Sequence, residues 1–95
     1  MQKELNNIRL EINKIDKKMK KLFIKRMELV KNIIDYKKQN NIDIYDSNRE
    51  NEVIELNSNE LKGSEFYDYY IEYLKDLMKT SKRYQSNYLN KTEEG

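Results

Sequence analysis

The chain of 95 residues contains no cysteine, no histidine, no proline and no alanine, and it has glycine at positions 63 and 95 alone. Without cysteine there is no disulfide framework and no thiolate metal site. Without histidine the commonest general base and metal ligand is gone, so any catalysis must run on Arg, Lys, Asp, Glu, Ser, Tyr or amide groups. The N-terminus, MQKELNN, has no apolar run long enough for a signal peptide or a membrane span, so a cytoplasmic protein is the expectation. Nor is there an excess of one charge: 19 basic and 17 acidic residues leave a net charge of +2. The lysines are interleaved with acids, which is a mixed surface and not a nucleic-acid footprint. The basic residues are lopsided, fifteen Lys against four Arg (Arg9, Arg26, Arg49, Arg83), which makes the Arg positions candidates for places that need a planar fork.

What is present is helical periodicity. Apolar residues recur at 5, 8, 12, 15, 19 and 22, and again at 29, 33 and 36, a three-four spacing that makes one continuous seam. The spacing predicts a first helix over about 4–38. Lys14, Lys18, Lys21 and Lys25 lie on its opposite face, as a solvated charge run. QNNID then breaks the pattern as a turn. A second helix is expected over about 47–60: Ser47 with Glu50 three residues on fits a capping box, Val53, Ile54 and Leu56 supply the apolar side, and Gly63 is the breaker. A third is expected over about 64–89, with the stripe Tyr67, Tyr70, Ile71, Leu74, Leu77, Met78, Ser81, Gln85 and Tyr88. The reading is one all-α domain over 1–95 with one long, one short and one medium helix. A helix of about 35 residues is roughly 50 Å long. A compact globule of this size has a radius of gyration of only about 12–13 Å. The long helix therefore overhangs anything two short helices can cover. The simplest closed solution is an intertwined two-fold helical homodimer, with a long antiparallel coiled coil as the competing picture.

Several polar residues stand where the pattern asks for apolar ones. Arg26 falls on the seam, and a buried guanidinium cannot deprotonate, so it needs an anion. Lys37 lies eleven residues on, which returns it to within about 20° of the same face and about 16 Å along the axis. Arg9 is seventeen residues before Arg26 and about 100° round the helix, pointing elsewhere, plausibly to another chain. Ser81 and Gln85 form an i, i+4 pair on the third helix. Each has a plain structural explanation: an internal ion pair for Arg26, the helix macrodipole for Lys37, capping for Asp46 and Glu50, backbone bonding for Ser81 and Gln85, a surface pair for Arg49. Together they place three cations and two acids on the inner faces of three helices, a set that needs negative charge from outside.

The order Arg9, Arg26, Lys37, Asp46, Arg49-Glu50, Ser81, Gln85 resembles the all-helical, AroQ class of chorismate mutase. IRLEINKID resembles that family's opening "lR.eId.iD", KRMELVKNIIDYK its "R..l...i...K", IYDSNRENEVI its "v.d..RE..vl", and SKRYQ its closing "S...Q". The match spans about 5–89 without a large insertion. The resemblance implies a homodimer of three-helix chains with two equivalent active sites, each completed by the partner subunit's Arg9. It implies isomerisation of chorismate to prephenate by a Claisen rearrangement, on the route to phenylalanine and tyrosine, with no cofactor and no metal. Arg26 and the partner's Arg9 would clamp the substrate carboxylates, and Lys37 and Gln85 would donate to the breaking ether oxygen. Glu50 and Asp46 would hold the ring hydroxyl, Ser81 the ring carboxylate, and Arg49 would support that end and orient the acids. One departure is Lys82, where the family usually has an apolar residue lining the pocket. The many tyrosines of the third helix (67, 69, 70, 73, 84 and 88) are expected to pack with their hydroxyls wet and carry no site role.

Two rivals stand beside this reading. A relative on the same scaffold, isochorismate pyruvate lyase, lacks the Arg-Glu pair read here at 49 and 50. A non-catalytic helical dimer, an interaction or regulatory module, explains the seam but not the register of the inner polar groups. KTEEG follows soon after the third helix, so no dehydratase, dehydrogenase or regulatory domain is expected on this chain.

Overall fold

The computed structural model describes residues 2–94, with side chains described as far as Lys91. Three α-helices follow one another: α1 (Gln2–Gln39), α2 (Ser47–Ser58) and α3 (Tyr67–Glu94), with a single 3₁₀ turn, Asn59–Leu61, after α2. No strand occurs among the described residues. The chain divides into two units, Met1–Val30 and Lys31–Gly95, and the boundary falls inside α1. Each unit is described by itself.

The first unit is α1 up to Val30. Nothing in it breaks a helix, and Glu4 in the first turn meets the positive end of the macrodipole. Its seam lies open in the single chain. Leu5, Ile8, Ile12, Ile15, Met19 and Leu22 are all exposed, Leu22 to 66%. A fully buried side chain of this kind is worth about 1.5–3 kcal/mol over an exposed one, so the stripe forgoes a large hydrophobic contribution. Arg26, Met27 and Val30 are the half-buried residues among those described in this unit, and Lys14, Lys18, Lys21 and Lys25 are exposed.

The second unit begins with the last turns of α1. Lys37 and Lys38 answer the negative end of the dipole. The helix ends because Asn41 takes a left-handed conformation, φ 55°. The N–H of Ile42 then reaches back to the Lys37 carbonyl at 2.9 Å and that of Asn41 to Lys38 at 3.5 Å. This is a Schellman arrangement, in which Asn stands in for the usual Gly. The Asn40 amide adds a bond to the Tyr36 carbonyl at 2.8 Å.

α2 is capped one residue earlier than the sequence pattern suggested. Asp46, in extended conformation, accepts from the Arg49 N–H at 3.1 Å. Ser47 is the first helical residue, and the Glu50 carboxylate reaches α3. Aspartate wins the cap because it offers the same acceptor geometry with a charge that suits a helix N-terminus. α2 also stops before Gly63. The turn Asn59–Leu61 tightens the chain, and Gly63 supplies the positive φ (87°) of the following turn. α3 starts at Tyr67, after a short turn in which the Ser64 hydroxyl accepts from the Phe66 N–H at 3.1 Å.

The buried apolar side chains are Ile34 of α1 and Leu74, Met78 and Leu89 of α3. Residues 74, 78, 81 and 89 lie on one stripe of α3, with Tyr67, Tyr70, Ile71, Leu77, Gln85 and Tyr88 half-buried along it. α2 packs against α3. The Tyr88 hydroxyl donates to the Asp35 carboxylate at 2.6 Å, and the Lys31 ammonium lies 5.6 Å from the centre of the Tyr88 ring. The expectation of wet tyrosine hydroxyls therefore fails at Tyr88: a carboxylate one turn before the end of α1 faces it. The hydrogen bond to Asp35, followed by desolvation and by the charges of Asp35 and Tyr84, raises the Tyr88 pKa above the ordinary phenol value.

Two predictions follow from these contacts. Asp46→Ala is expected to cost about 1 kcal/mol in urea unfolding, Asp46→Asn to retain most of the cap, and Ser47→Ala to change stability by only a few tenths. Tyr88 binds its proton more tightly folded than unfolded, so its contribution is whole below the ordinary value of 10.0 and is lost as pH rises through the folded value. Thermal melts of Tyr88→Phe should show a lower Tm than the parent at neutral pH, with the gap narrowing in alkaline buffer.

Candidate functional site

In the second unit, four elements carry predicted site residues or their contacts. The first is the end of α1. Lys37 is half-buried, and its ammonium donates to the Ile44 carbonyl at 3.3 Å. That carbonyl is a neutral acceptor, so the contact orients the ammonium without cancelling its charge. The second is the loop 40–46. Its Tyr45 hydroxyl and the Ser86 hydroxyl are hydrogen-bonded at 3.1 Å, which ties the loop to α3 beside Gln85. The loop is thus held at one side by Lys37 and at the other by Ser86.

The third element is the N-terminus of α2. Asp46 caps it and is exposed, whereas Glu50, one turn on, is half-buried. Glu50 Oε2 lies 2.8 Å from the Lys82 ammonium, with the side chains 27% and 52% exposed respectively. The fourth element, α3, supplies Ser81, 7% exposed, and half-buried Gln85 one turn on. Three contacts thus join these elements, Lys37 to Ile44, Tyr45 to Ser86 and Glu50 to Lys82, and Asp46, Ser81 and Gln85 each lie next in sequence to a member of one of them. By chemistry the predicted site side chains among these comprise an ammonium, a hydroxyl, an amide and two carboxylates.

Three other predicted site residues remain, Arg49 on α2 and Arg9 and Arg26 on α1. Arg49 is exposed. Its guanidinium meets Glu52 at 3.5 Å, and its backbone N–H is what reaches Asp46. Arg49 and Glu52 also line an open depression on α2 with Glu55, Leu56 and Asn59. An ion pair this exposed is worth about 0–1 kcal/mol. Arg9 and Arg26 belong to the first unit, where Arg9 is exposed and Arg26 half-buried.

Sequence reasoning missed Tyr45 and Ser86, and it placed Lys82 without a partner. Tyr45 carries no periodic signal because it lies in a loop, and Ser86 is masked by its neighbour Gln85. Lys82 was legible as an anomaly. A lysine one residue from the buried stripe of α3 is near enough to an inner face to meet an acid from α2.

Among the described residues no group of three or more His, Cys, Asp or Glu side chains could hold a metal ion. No helix among them is long and apolar enough to cross a membrane. No curated protein and no solved structure matches the chain. A sequence model of a protein family does: that of chorismate mutase type II, over residues 8–86. That stretch contains all eight positions picked out by their polar character, from Arg9 to Gln85, and it runs through all three helices. On this match the chain belongs to the chorismate mutase type II family, the all-helical class of these isomerases.

Proposed function

We propose that the protein is a chorismate mutase that converts chorismate to prephenate for phenylalanine and tyrosine synthesis, acting in the cytoplasm as a homodimer. The observation that carries this reading is the family match over 8–86. It is supported by the inner polar groups of α2, α3 and the end of α1, which follow the family's register. The exposed stripe of α1, from Leu5 to Leu22, supports the dimer: it is an apolar surface that a second copy of the same helix would bury.

The chemistry suits a chain without histidine or cysteine. The reaction is unimolecular, so no nucleophile and no general base is required. Two tasks remain. The enolpyruvyl side chain must be folded over the ring into a chair-like geometry, and negative charge growing on the ether oxygen must meet donors already in place. In this reading Arg26 and the partner's Arg9 grip the carboxylates, each with a forked donor that is charged at every working pH. Lys37 and Gln85 donate to the ether oxygen. Lys37 suits that role because the Ile44 carbonyl already orients its ammonium, so little reorganisation is needed during reaction. Glu50 and Asp46 accept from the ring hydroxyl, Ser81 donates to the ring carboxylate, and Arg49 supports that end.

The direct test is loss of chorismate absorbance on addition of purified protein, with isochorismate supplied in parallel. Chorismate loss without pyruvate release is the expected result. Pyruvate from isochorismate alone, or neither reaction in a protein that still dimerises, would overturn the assignment. Lys37→Met should lower turnover by about 10²–10³-fold, the usual cost of losing one transition-state donor, with only modest loss of stability. Because the amide of Gln85 does not titrate, turnover should vary little between about pH 5 and 8. A steep fall within that window would remove Gln85 from the ether oxygen.

A further inference from the structure

We propose that Lys82 is a positioning residue for Glu50 and, through it, for the ring hydroxyl of the substrate. The inference rests on the chorismate mutase reading above and adds to it a residue at a position where the family's pattern is apolar. The observation is the contact of the Lys82 ammonium with Glu50 Oε2 at 2.8 Å, bridging α3 and α2.

Magnitudes decide what this bridge is for. With Lys82 half exposed, the pair adds at most about 1 kcal/mol to folding, which is too little to define how α2 meets α3. Its effect on the carboxylate is one of orientation. A glutamate has three rotatable side-chain bonds, and ordering such a side chain opposes binding. Lys82 fixes it beforehand. An ionised carboxylate has two oxygens with about four acceptor positions. The ammonium occupies one side of Oε2, so Oε1 has its lone pairs to offer to a hydroxyl. Lys82 also directly follows Ser81, the buried hydroxyl assigned to the ring carboxylate. The two neighbours therefore divide the work at the ring: Ser81 acts on the substrate, and Lys82 acts on the group that holds it.

The test uses prephenate as the probe, because it bears the ring hydroxyl and two carboxylates and is not consumed. Its dissociation constant is measured by calorimetry for the parent, Lys82→Met, Glu50→Ala and the double variant, with Lys82→Arg as the conservative control. The positioning role predicts about three- to tenfold weaker binding for Lys82→Met, in keeping with one long side chain left unordered. It predicts near-parental binding for Lys82→Arg, and no further loss when Lys82→Met is added to Glu50→Ala. Tm should fall by no more than a few degrees in Lys82→Met. Unchanged affinity in Lys82→Met overturns the proposal. So does an equal loss in the Glu50→Ala background, which would mean that Lys82 attracts the dianion by charge alone. A parent protein that neither binds prephenate nor consumes chorismate overturns the functional reading and this inference together. A parent that does both, with Lys82→Met indistinguishable from it, overturns only the inference.

Discussion

A folded chain must take apolar surface out of water, and this one has little with which to do so. Among the described residues of the second unit the buried apolar side chains are few, Ile34, Leu74, Met78 and Leu89, and in the first unit the whole stripe from Leu5 to Leu22 stays wet. Small domains bury a smaller share of their surface than large ones, and the deficit is usually made good by association or by cross-links. Cross-links are impossible here, since cysteine is absent. The dimer proposed above answers the same shortage: what the single chain cannot cover, a second copy can.

Where apolar burial is thin, polar contacts add direction to the packing. Asp35 with Tyr88 links α1 to α3, Tyr45 with Ser86 links the loop to α3, and Glu50 with Lys82 links α2 to α3. None of these is a deep, dry interaction, so each adds modestly to stability. Their use is directional. A hydrogen bond or ion pair fixes the orientation of both partners, whereas apolar contact tolerates sliding. Several groups that the functional reading uses are members of these contacts or one residue from them: Glu50, Ser81 beside Lys82, and Gln85 beside Ser86. The contacts that orient neighbouring elements and the side chains of the candidate site are therefore adjacent in sequence.

The helices were legible because their signals are periodic. The three-four seam of α1 and the stripe from Tyr67 to Tyr88 each repeat over several turns, and every residue of the α3 stripe is buried or half-buried. The ends were less legible, because they are decided by single competing groups. Asp46 and Ser47 are both good caps, and only geometry chooses between them. α2 ended at Ser58 ahead of its expected breaker because a 3₁₀ turn intervened. Contacts between distant residues were out of reach. Nothing local to Tyr88 announces Asp35, and nothing local to Tyr45 announces Ser86. The candidate site residues were visible for a different reason: a polar group on an apolar stripe violates the pattern around it, and Arg26, Lys37, Ser81 and Gln85 each do so.

The bond from Lys37 to Ile44 joins residues seven apart in sequence, around the left-handed turn at Asn41. A loop so short is cheap in chain entropy and quick to close. The direction of the ammonium is accordingly written into one contiguous segment, independent of how α2 and α3 meet. Glu50 and Lys82 have no such autonomy, since their meeting requires two separate helices to dock. Local opening of that docking would leave the cation bracketed at its helix end while releasing the acid, so the two sides of the proposed site have unequal thermodynamic tenure.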